Sequence, residues 1–393
     1  MDLTITPRRL CGAVSAIPSK SQAHRLLICA AFADRETTLF CPATNQDIEA
    51  TASCLRALGA GIDRTDSGYI VRPVQTIPSK VDLFCHESGS TLRFLLPVVG
   101  ALGVEGTFYP EGRLPQRPLS PLWEEMERMG CHLSRPTPDT IVCRGKLQSG
   151  VYSMDGGVSS QFITGLLYAL PLLDGDSRLV LTGHIESAPY LDMTRQALAL
   201  FQIRLEEKCI PGGQTFRSPG KIAVEGDWSN AAFFLGAGAL GSNVTVTGLN
   251  RSSAQGDRAC EELFQKLEHL TTISAANIPD LVPILAVVAG AKEGAVFTDA
   301  GRLRLKESDR LQSVAAMLRS LGGQVTVTRD GLIVRGGGYR GGIVDAAGDH
   351  RIAMAAAIAA TVSSGPVTIL GAEAVQKSYP HFWEDYKTLG GIL

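Results

Sequence analysis

The stretch "LQSVAAMLRSLGGQVTVTRDGLIVRG", Leu311 to Gly336, contains three structural signals in succession. Leu311, Val314, Ala315 and Leu318 fall at i, i+3, i+4 and i+7, the spacing of one apolar helix face. Leu321 and Gly322 then end the pattern, because glycine accepts the left-handed conformation that closes a helix. The alternating run "QVTV", the polar turn "TRDG" and the second run "LIVRG" read as a β-hairpin.

The same ending recurs along the chain. Copies are "ATASCLRALGAGI" ending at Leu58, "LWEEMERMGCHL" at Met129, "TRQALALFQIRL" at Leu200, "CEELFQKLEHLTTI" at Leu267 and the C-terminal "HFWEDYKTLGGIL". Successive endings lie roughly 55 to 70 residues apart, a period that implies one repeated supersecondary unit. Further hairpin signals are "RTDSGYIVRP" and "RPTPDTIVCRG". The unit reads as strand, helix, strand, helix and two strands. Six units exceed what one core supports, so two domains of three units are expected.

The strongest Gly/Pro interruption, "CIPGGQTFRSPGKIAVEGDW" (Cys209 to Trp228), and a break at Ile17 and Pro18 set the expected boundaries. Residues 1–18 plus 223–393 form a discontinuous domain, and 19–222 an inserted one. The first strand then belongs with the C-terminal half.

The chain has 393 residues, 45% of them apolar, and a net charge of −2 from 37 basic and 39 acidic residues. That balance gives no bulk attraction for nucleic acid or an anionic membrane. The start, "MDLTITPRRLCG", lacks the apolar core of a signal peptide and the bias of a transit peptide. The longest smooth apolar runs, Leu281 to Ala291 and Ala353 to Val362, are roughly half the ~20 residues of a membrane span. Nine cysteines are scattered without a C-x-x-C pair, which fits small buried hydrophobes in a reducing cytoplasm.

Against this neutral background, polar and cationic residues gather where helices begin. In "IPSKSQAHRLLICAAFA" (Ile17 to Ala33), Lys20, Ser21 and Arg25 stand before a buried helix read as Leu26 to Ala33. They form either an anion site at the helix start or, in the plainer reading, a serine cap alone. "HESGSTLRFLLP" repeats the logic with Ser88, Gly89, Ser90 and Arg93. "EGRLPQRP" places Arg113 and Arg117 in a proline-punctuated loop, where a guanidinium clamps a carboxylate or is simply solvated. "GGVSSQF" opens a helix with Ser159, Ser160 and Gln161, and "ESAPYLDM" another with Ser187 and Tyr190.

In the second half, Asp280 of "NIPDLVPIL" is either an N-cap or a carboxylate exposed at a cleft. "LKESDRL" compresses Lys306, Glu307, Asp309 and Arg310, "GDHRIAM" brings Asp349, His350 and Arg351 to a helix start, and Lys377 precedes "SYP". A cleft between two domains, with helix starts converging on a multiply charged small ligand, accounts for this recurrence. No P-loop or zinc spacing is present, and "GGGYRGG" (Gly336 to Gly342) reads as a hairpin turn.

"SKSQAHR", "ESGSTLRF", "QRP", "SSQF", "SAPY", "GDWSNAAFFL", "IPD", "LKESDRL", "GDHRIAM" and "QKSYP" occur in one order over nearly the whole chain. That ordered set resembles the 5-enolpyruvylshikimate-3-phosphate synthase family. The resemblance implies an inside-out α/β barrel in each of two domains, built from three βαβαββ repeats and closing over the substrates. It implies transfer of the enolpyruvyl group of phosphoenolpyruvate to the 5-hydroxyl of shikimate 3-phosphate, without metal or organic cofactor.

By the same resemblance Lys20, Ser21, Arg25, Ser159, Ser160, Gln161, Ser187, Tyr190, Asp280 and Lys306 match positions for shikimate 3-phosphate. Lys20, Gly89, Arg117, Gln161, Arg310, His350, Arg351 and Lys377 match those for phosphoenolpyruvate. Asp280, Glu307 and Lys20 are the acid/base candidates. Glu87, Ser88, Ser90 and Arg302 depart from common family residues, which puts the local contacts there in question. A sister transferase acting on a UDP-sugar would need a cysteine in the "EGRLPQRP" loop, which has none. A non-catalytic anion-binding protein is opposed by the intact Asp280, Glu307 and Lys20, and a nucleic-acid-processing relative by the lack of a basic stripe. A cytoplasmic monomer is expected.

Overall fold

A computed structural model describes residues 1–206 and 209–393. In it the Leu311 stretch behaves as read. The helix Arg310–Ser320 caps at Leu321, and Gly322 follows at φ +86°. The Gly322 and Gly323 N–H groups bond back to the Arg319 and Leu318 carbonyls at 2.9 and 2.7 Å, which satisfies the last turn. Gln324–Val327 then pairs antiparallel with Leu332–Arg335.

That hairpin completes a sheet in the order Thr271–Ser274, Gly294–Thr298, Leu332–Arg335, Gln324–Val327, whose first pair is parallel. The same four-strand plan appears in Lys80–His86, Glu105–Pro110, Ile141–Gly145 and Cys131–Ser134. It appears again in Lys221–Ala223, Thr37–Phe40, Gly68–Arg72 and Gly61–Thr65, where a distant segment supplies the first strand.

The chain folds into two compact units, Met1–Ile17 with Glu225–Leu393, and Pro18–Val224. In the first, the strand order Gly342–Asp345, Val367–Leu370, Leu3–Ile5 joins C-terminal strands to the N-terminus. A Thr6 to Ile392 bridge occupies the fourth place. Cys11–Ser15 also crosses over, pairing in parallel with Asn243–Thr247.

Each unit contains one reduced repeat. Among the described residues the sheets of Cys11–Ser15 with Asn243–Thr247 and of Val151–Asp155 with Arg178–Thr182 have two strands. After the helix Cys260–Lys266 the chain goes straight to Thr271–Ser274, which pairs in the next sheet, so no hairpin is left to add.

Each core is a set of packed helices under these sheets. In the Pro18–Val224 unit, Lys20–Ala31, Gly89–Leu102 and Ser160–Ala169 are buried on nearly every face. Trp228–Ala239, Val282–Ala291 and His350–Ala360 do the same in the other. A helix apolar all round belongs in an interior, and its polar residues are left only at its ends.

Two local expectations are corrected. The first helix runs from Lys20 to Ala31, with Ser19 as N-cap and Phe32 as C-cap, so Lys20 to Arg25 form its first turns. "GGGYRGG" is not a hairpin turn: it joins Leu332–Arg335 to Gly342–Asp345, strands of different sheets. Its Tyr339 is buried and donates to the Val287 carbonyl at 2.7 Å, so the glycines serve a connection pinned by an aromatic anchor.

Candidate functional site

In the Pro18–Val224 unit the helix beginning at Lys20 sets out two cations differently. Lys20 Nζ pairs with Asp47 Oδ2 at 2.9 Å, and Asp47 lies in the first turn of the helix Gln46–Ala57. Arg25 is 2% exposed and held by neutral groups: Nε donates to Thr194 Oγ1 at 2.9 Å, and its amino groups donate to the Ser21 and Tyr190 carbonyls at 2.6 and 2.9 Å. Its guanidinium also lies 5.2 Å from the Phe94 ring centre. Burial lowers its pKa, yet a guanidinium keeps its charge, and among the described residues no carboxylate pairs with it. A buried cation without a counter-ion is costly, and a bound anion would relieve that cost.

The helix Gly89–Leu102 has Ser88 as N-cap. A Cβ on Gly89 would meet Arg93 Nη1 at 3.0 Å and Arg117 Nη1 at 3.1 Å, so two guanidinium groups approach the bare backbone there. Glycine keeps that approach open. Arg93 donates to Gln161 Oε1 at 2.8 Å, and Gln161 Nε2 donates to Ser90 Oγ at 3.0 Å. Ser159 caps the helix Ser160–Ala169, accepting from the Gln161 N–H at 3.3 Å. Gln161 thus ties the second helix start to the third. Arg117 ends the turn Leu114–Gln116, while Arg113 stays exposed. Ser187 stands left-handed at φ +55° before the helix Ala188–Leu200, and Tyr190 in its first turn supplies the carbonyl that holds Arg25.

In the other unit the charges are matched. Asp280 accepts from Arg310 at 2.8 Å and from Arg351 at 3.0 Å, and Lys306 lies 3.5 Å away. Arg310 also bonds Glu307 at 2.6 Å and Asp349 at 2.9 Å. Asp349 in turn caps the helix His350–Ala360, accepting from the Arg351 N–H at 3.0 Å, and receives the Ser308 hydroxyl at 3.1 Å. Four of the five N–H groups of Arg310 are committed, which leaves at most one for a ligand.

Burial alone would raise the Asp280 pKa, but Arg351, Lys306 and Arg310 outweigh it and hold the carboxyl well below the usual range. Asp280 is therefore ionised. It is not an N-cap: the helix Val282–Ala291 takes Leu281 there, with no side-chain bond. His350, 1% exposed, opens its helix with Nδ1 3.9 Å from Asp349 Oδ1. Lys377 is buried at the end of the turn Ala372–Lys377.

Each unit thus gathers its own share of the expected residues. The sequence reading missed Asp47, Thr194 and Asp257. Asp47 is an ordinary first-turn acid by sequence, and Thr194 lies 169 positions from Arg25, so only folding pairs them. Asp257 is buried, accepts the Ser229 hydroxyl, and is pushed up to about 7 by burial and by Asp280.

Comparison with known proteins places the chain. A family model described as EPSP synthase (3-phosphoshikimate 1-carboxyvinyltransferase) matches residues 5–276 and 261–386. The 3-phosphoshikimate 1-carboxyvinyltransferase of Clostridium kluyveri is 39% identical over 100% of this chain and 98% of that protein. That of Clostridium acetobutylicum is 40% identical over 98% and 97%. A solved EPSP synthase from Acinetobacter baumannii superposes with a TM-score of 0.81 at 24% identity, covering 99% of this chain and 98% of that one.

The architecture is that of the enolpyruvyl transferases, an α/β fold in two repeat-built units. The chain belongs to the EPSP synthase (3-phosphoshikimate 1-carboxyvinyltransferase) family.

Proposed function

We propose that this chain transfers the enolpyruvyl group of phosphoenolpyruvate to the 5-hydroxyl of shikimate 3-phosphate, releasing phosphate, the reaction for which its relatives are named. The observation that carries the chemical assignment is Asp280, an ionised carboxylate held among three cations. In the addition step the hydroxyl oxygen bonds to C2 of phosphoenolpyruvate, its proton passes to Asp280, and the methylene carbon gains a proton from Glu307 or Lys20. Elimination then breaks the C2–phosphate bond and returns a methyl proton to the protein.

A carboxylate with a depressed pKa is a weak base. Anionic substrates that engage Lys306 and Arg351 draw these cations' field away from Asp280 and raise its basicity when a substrate is present. Lys20, Ser21, Arg25, Ser159, Ser160, Ser187 and Tyr190, with Asp280 and Lys306, serve shikimate 3-phosphate. Gly89, Arg117, Arg310, His350, Arg351 and Lys377 serve phosphoenolpyruvate, and Lys20 and Gln161 serve both. The uncompensated Arg25 and the paired guanidinium groups over Gly89 support an anion in the Pro18–Val224 unit. That unit acts as the inserted domain and the remainder as the discontinuous one.

The enzyme works as a cytoplasmic monomer without nucleic acid, a reading supported by separate buried helices in each unit and a net charge of −2. Among the described residues no helix is long and apolar enough to cross a membrane.

Release of inorganic phosphate from phosphoenolpyruvate tests the reaction. Phosphate is expected only when shikimate 3-phosphate is also present; release that requires a UDP-sugar instead overturns the proposal.

A further inference from the structure

Four buried polar side chains link three helices of the Pro18–Val224 unit. His24 Nδ1 lies 2.7 Å from Thr51 Oγ1, Thr51 Oγ1 lies 2.6 Å from Thr91 Oγ1, and Thr91 Oγ1 donates to Ser88 Oγ at 2.7 Å. None is more than 1% exposed.

Each hydroxyl has one hydrogen to give, so the chain has a single order. Thr91 spends its hydrogen on Ser88, and Thr51 must therefore donate to Thr91. Thr51 then has none left for His24, and His24 must donate from Nδ1. Its Nε2 then carries the lone pair and is buried without a partner. Burial holds the imidazole down at about 3, so it is neutral at working pH.

At the other end Ser88 Oγ accepts twice, from the Thr91 hydroxyl and from the Thr91 N–H at 3.3 Å. Among the described residues nothing accepts the Ser88 hydrogen. Both accepted bonds come from Thr91, so this hydrogen is not spent within the capping interaction. Ser88 immediately precedes Gly89, where the Arg93 and Arg117 guanidinium groups approach.

We propose that the His24–Thr51–Thr91–Ser88 chain orders its hydrogens toward the start of the helix Gly89–Leu102, so that the Ser88 hydroxyl donates to an anionic oxygen of phosphoenolpyruvate bound over Gly89. The inference rests on the reading that Gly89 and Arg117 serve phosphoenolpyruvate. Aligned donors polarise one another, which makes the last hydroxyl a better donor than an isolated serine. Ser88 is then a binding residue, and Thr51 and His24 position its hydrogen.

The test combines kinetics with nitrogen-15 NMR of the imidazole. Ser88→Ala is expected to raise the KM for phosphoenolpyruvate roughly tenfold, the worth of one hydrogen bond to a charged group, with a smaller change in kcat. Thr51→Val is expected to raise it less, Thr51→Ser to restore it, and the effect of Thr51→Val to vanish in the Ser88→Ala background. His24 should show a proton on Nδ1 alone from pH 5 to 9. A proton on Nε2, or an unchanged KM in Ser88→Ala while Arg117→Ala raises it, overturns the proposal and leaves the reading of Arg117 standing. An unchanged KM in Arg117→Ala overturns that reading, and this inference falls with it.

Discussion

Arg25 and Arg310 are both buried guanidinium groups near helix starts, and their surroundings are opposite. Arg25 is held by a threonine hydroxyl and two carbonyls. Arg310 is held by Asp280, Glu307 and Asp349, and although burial acts to lower its pKa, these carboxylates raise it. A cation ringed by neutral acceptors keeps its charge for a ligand. One ringed by carboxylates spends its charge keeping them ionised in the interior. The first arrangement suits binding an anion and the second suits moving a proton.

The comparison is most exposed at Asp280. Asp280→Asn keeps the shape but removes the base, and a loss of about a thousandfold in kcat is expected. A loss smaller than tenfold in steady-state assays would remove Asp280 from the proton path.

Arg310→Met comes next. It takes the cation shared by Asp349, Glu307 and Asp280 out of a largely buried cluster, and stability should fall by about 3–5 kcal/mol in urea unfolding. Arg25→Met should behave differently. It removes a charge that no carboxylate balances, so stability should change by less than about 2 kcal/mol. Affinity for shikimate 3-phosphate, read by calorimetry, should fall about a hundredfold. Equal stability losses in the two variants would erase the distinction between the units.

The smallest expected effect is a pair of pH slopes of opposite sign. His24 is held at about 3 by burial, below its unfolded value of about 6.5. Between those limits the unfolded chain binds the extra proton, so the His24 contribution to stability is full above pH 6.5 and fades on acidification. Asp257 is held at about 7, above the unfolded value of about 3.9. There the folded chain binds the extra proton, so its contribution is full below pH 3.9 and fades as pH rises toward 7. Hydrogen exchange between pH 4.5 and 6.5, corrected for intrinsic rates, should show amides near His24 gaining protection with pH and those near Asp257 losing it. His24→Asn and Asp257→Asn should flatten the respective trends.

Much of the fold was legible because its signals are local. The ending at Leu321 and Gly322, the hairpin after it, and the copies at Leu58 and Met129 each lie within one helix and turn. The reduced repeats were less visible, since the endings at Leu200 and Leu267 resemble the others while, among the described residues, the next strand pairs in another repeat's sheet. "GGGYRGG" misled for a related reason: glycines announce that the chain turns, and only the burial of Tyr339 decides where it goes.

The site divides along the same line. Lys20, Arg25, Lys306, Arg310 and Arg351 could be picked out because cations at helix starts are unusual and the N-terminal partial charge attracts anions to such places. Their partners could not. Thr194 reaches Arg25, Asp349 reaches Arg310, and Thr51 joins His24 to Thr91 across intervals that no local pattern spans.

The sequence by itself determined the repeats, the hairpins and the helix starts at which charge collects, because propensity, periodicity and capping act over a few neighbouring residues. Tertiary structure alone decided which charges are balanced and which remain available, which distant strand completes a sheet, and which way a buried chain of hydroxyls points. Those outcomes depend on desolvation and on distances of about 3 Å between groups far apart in the chain, and such distances exist only once the cores have packed.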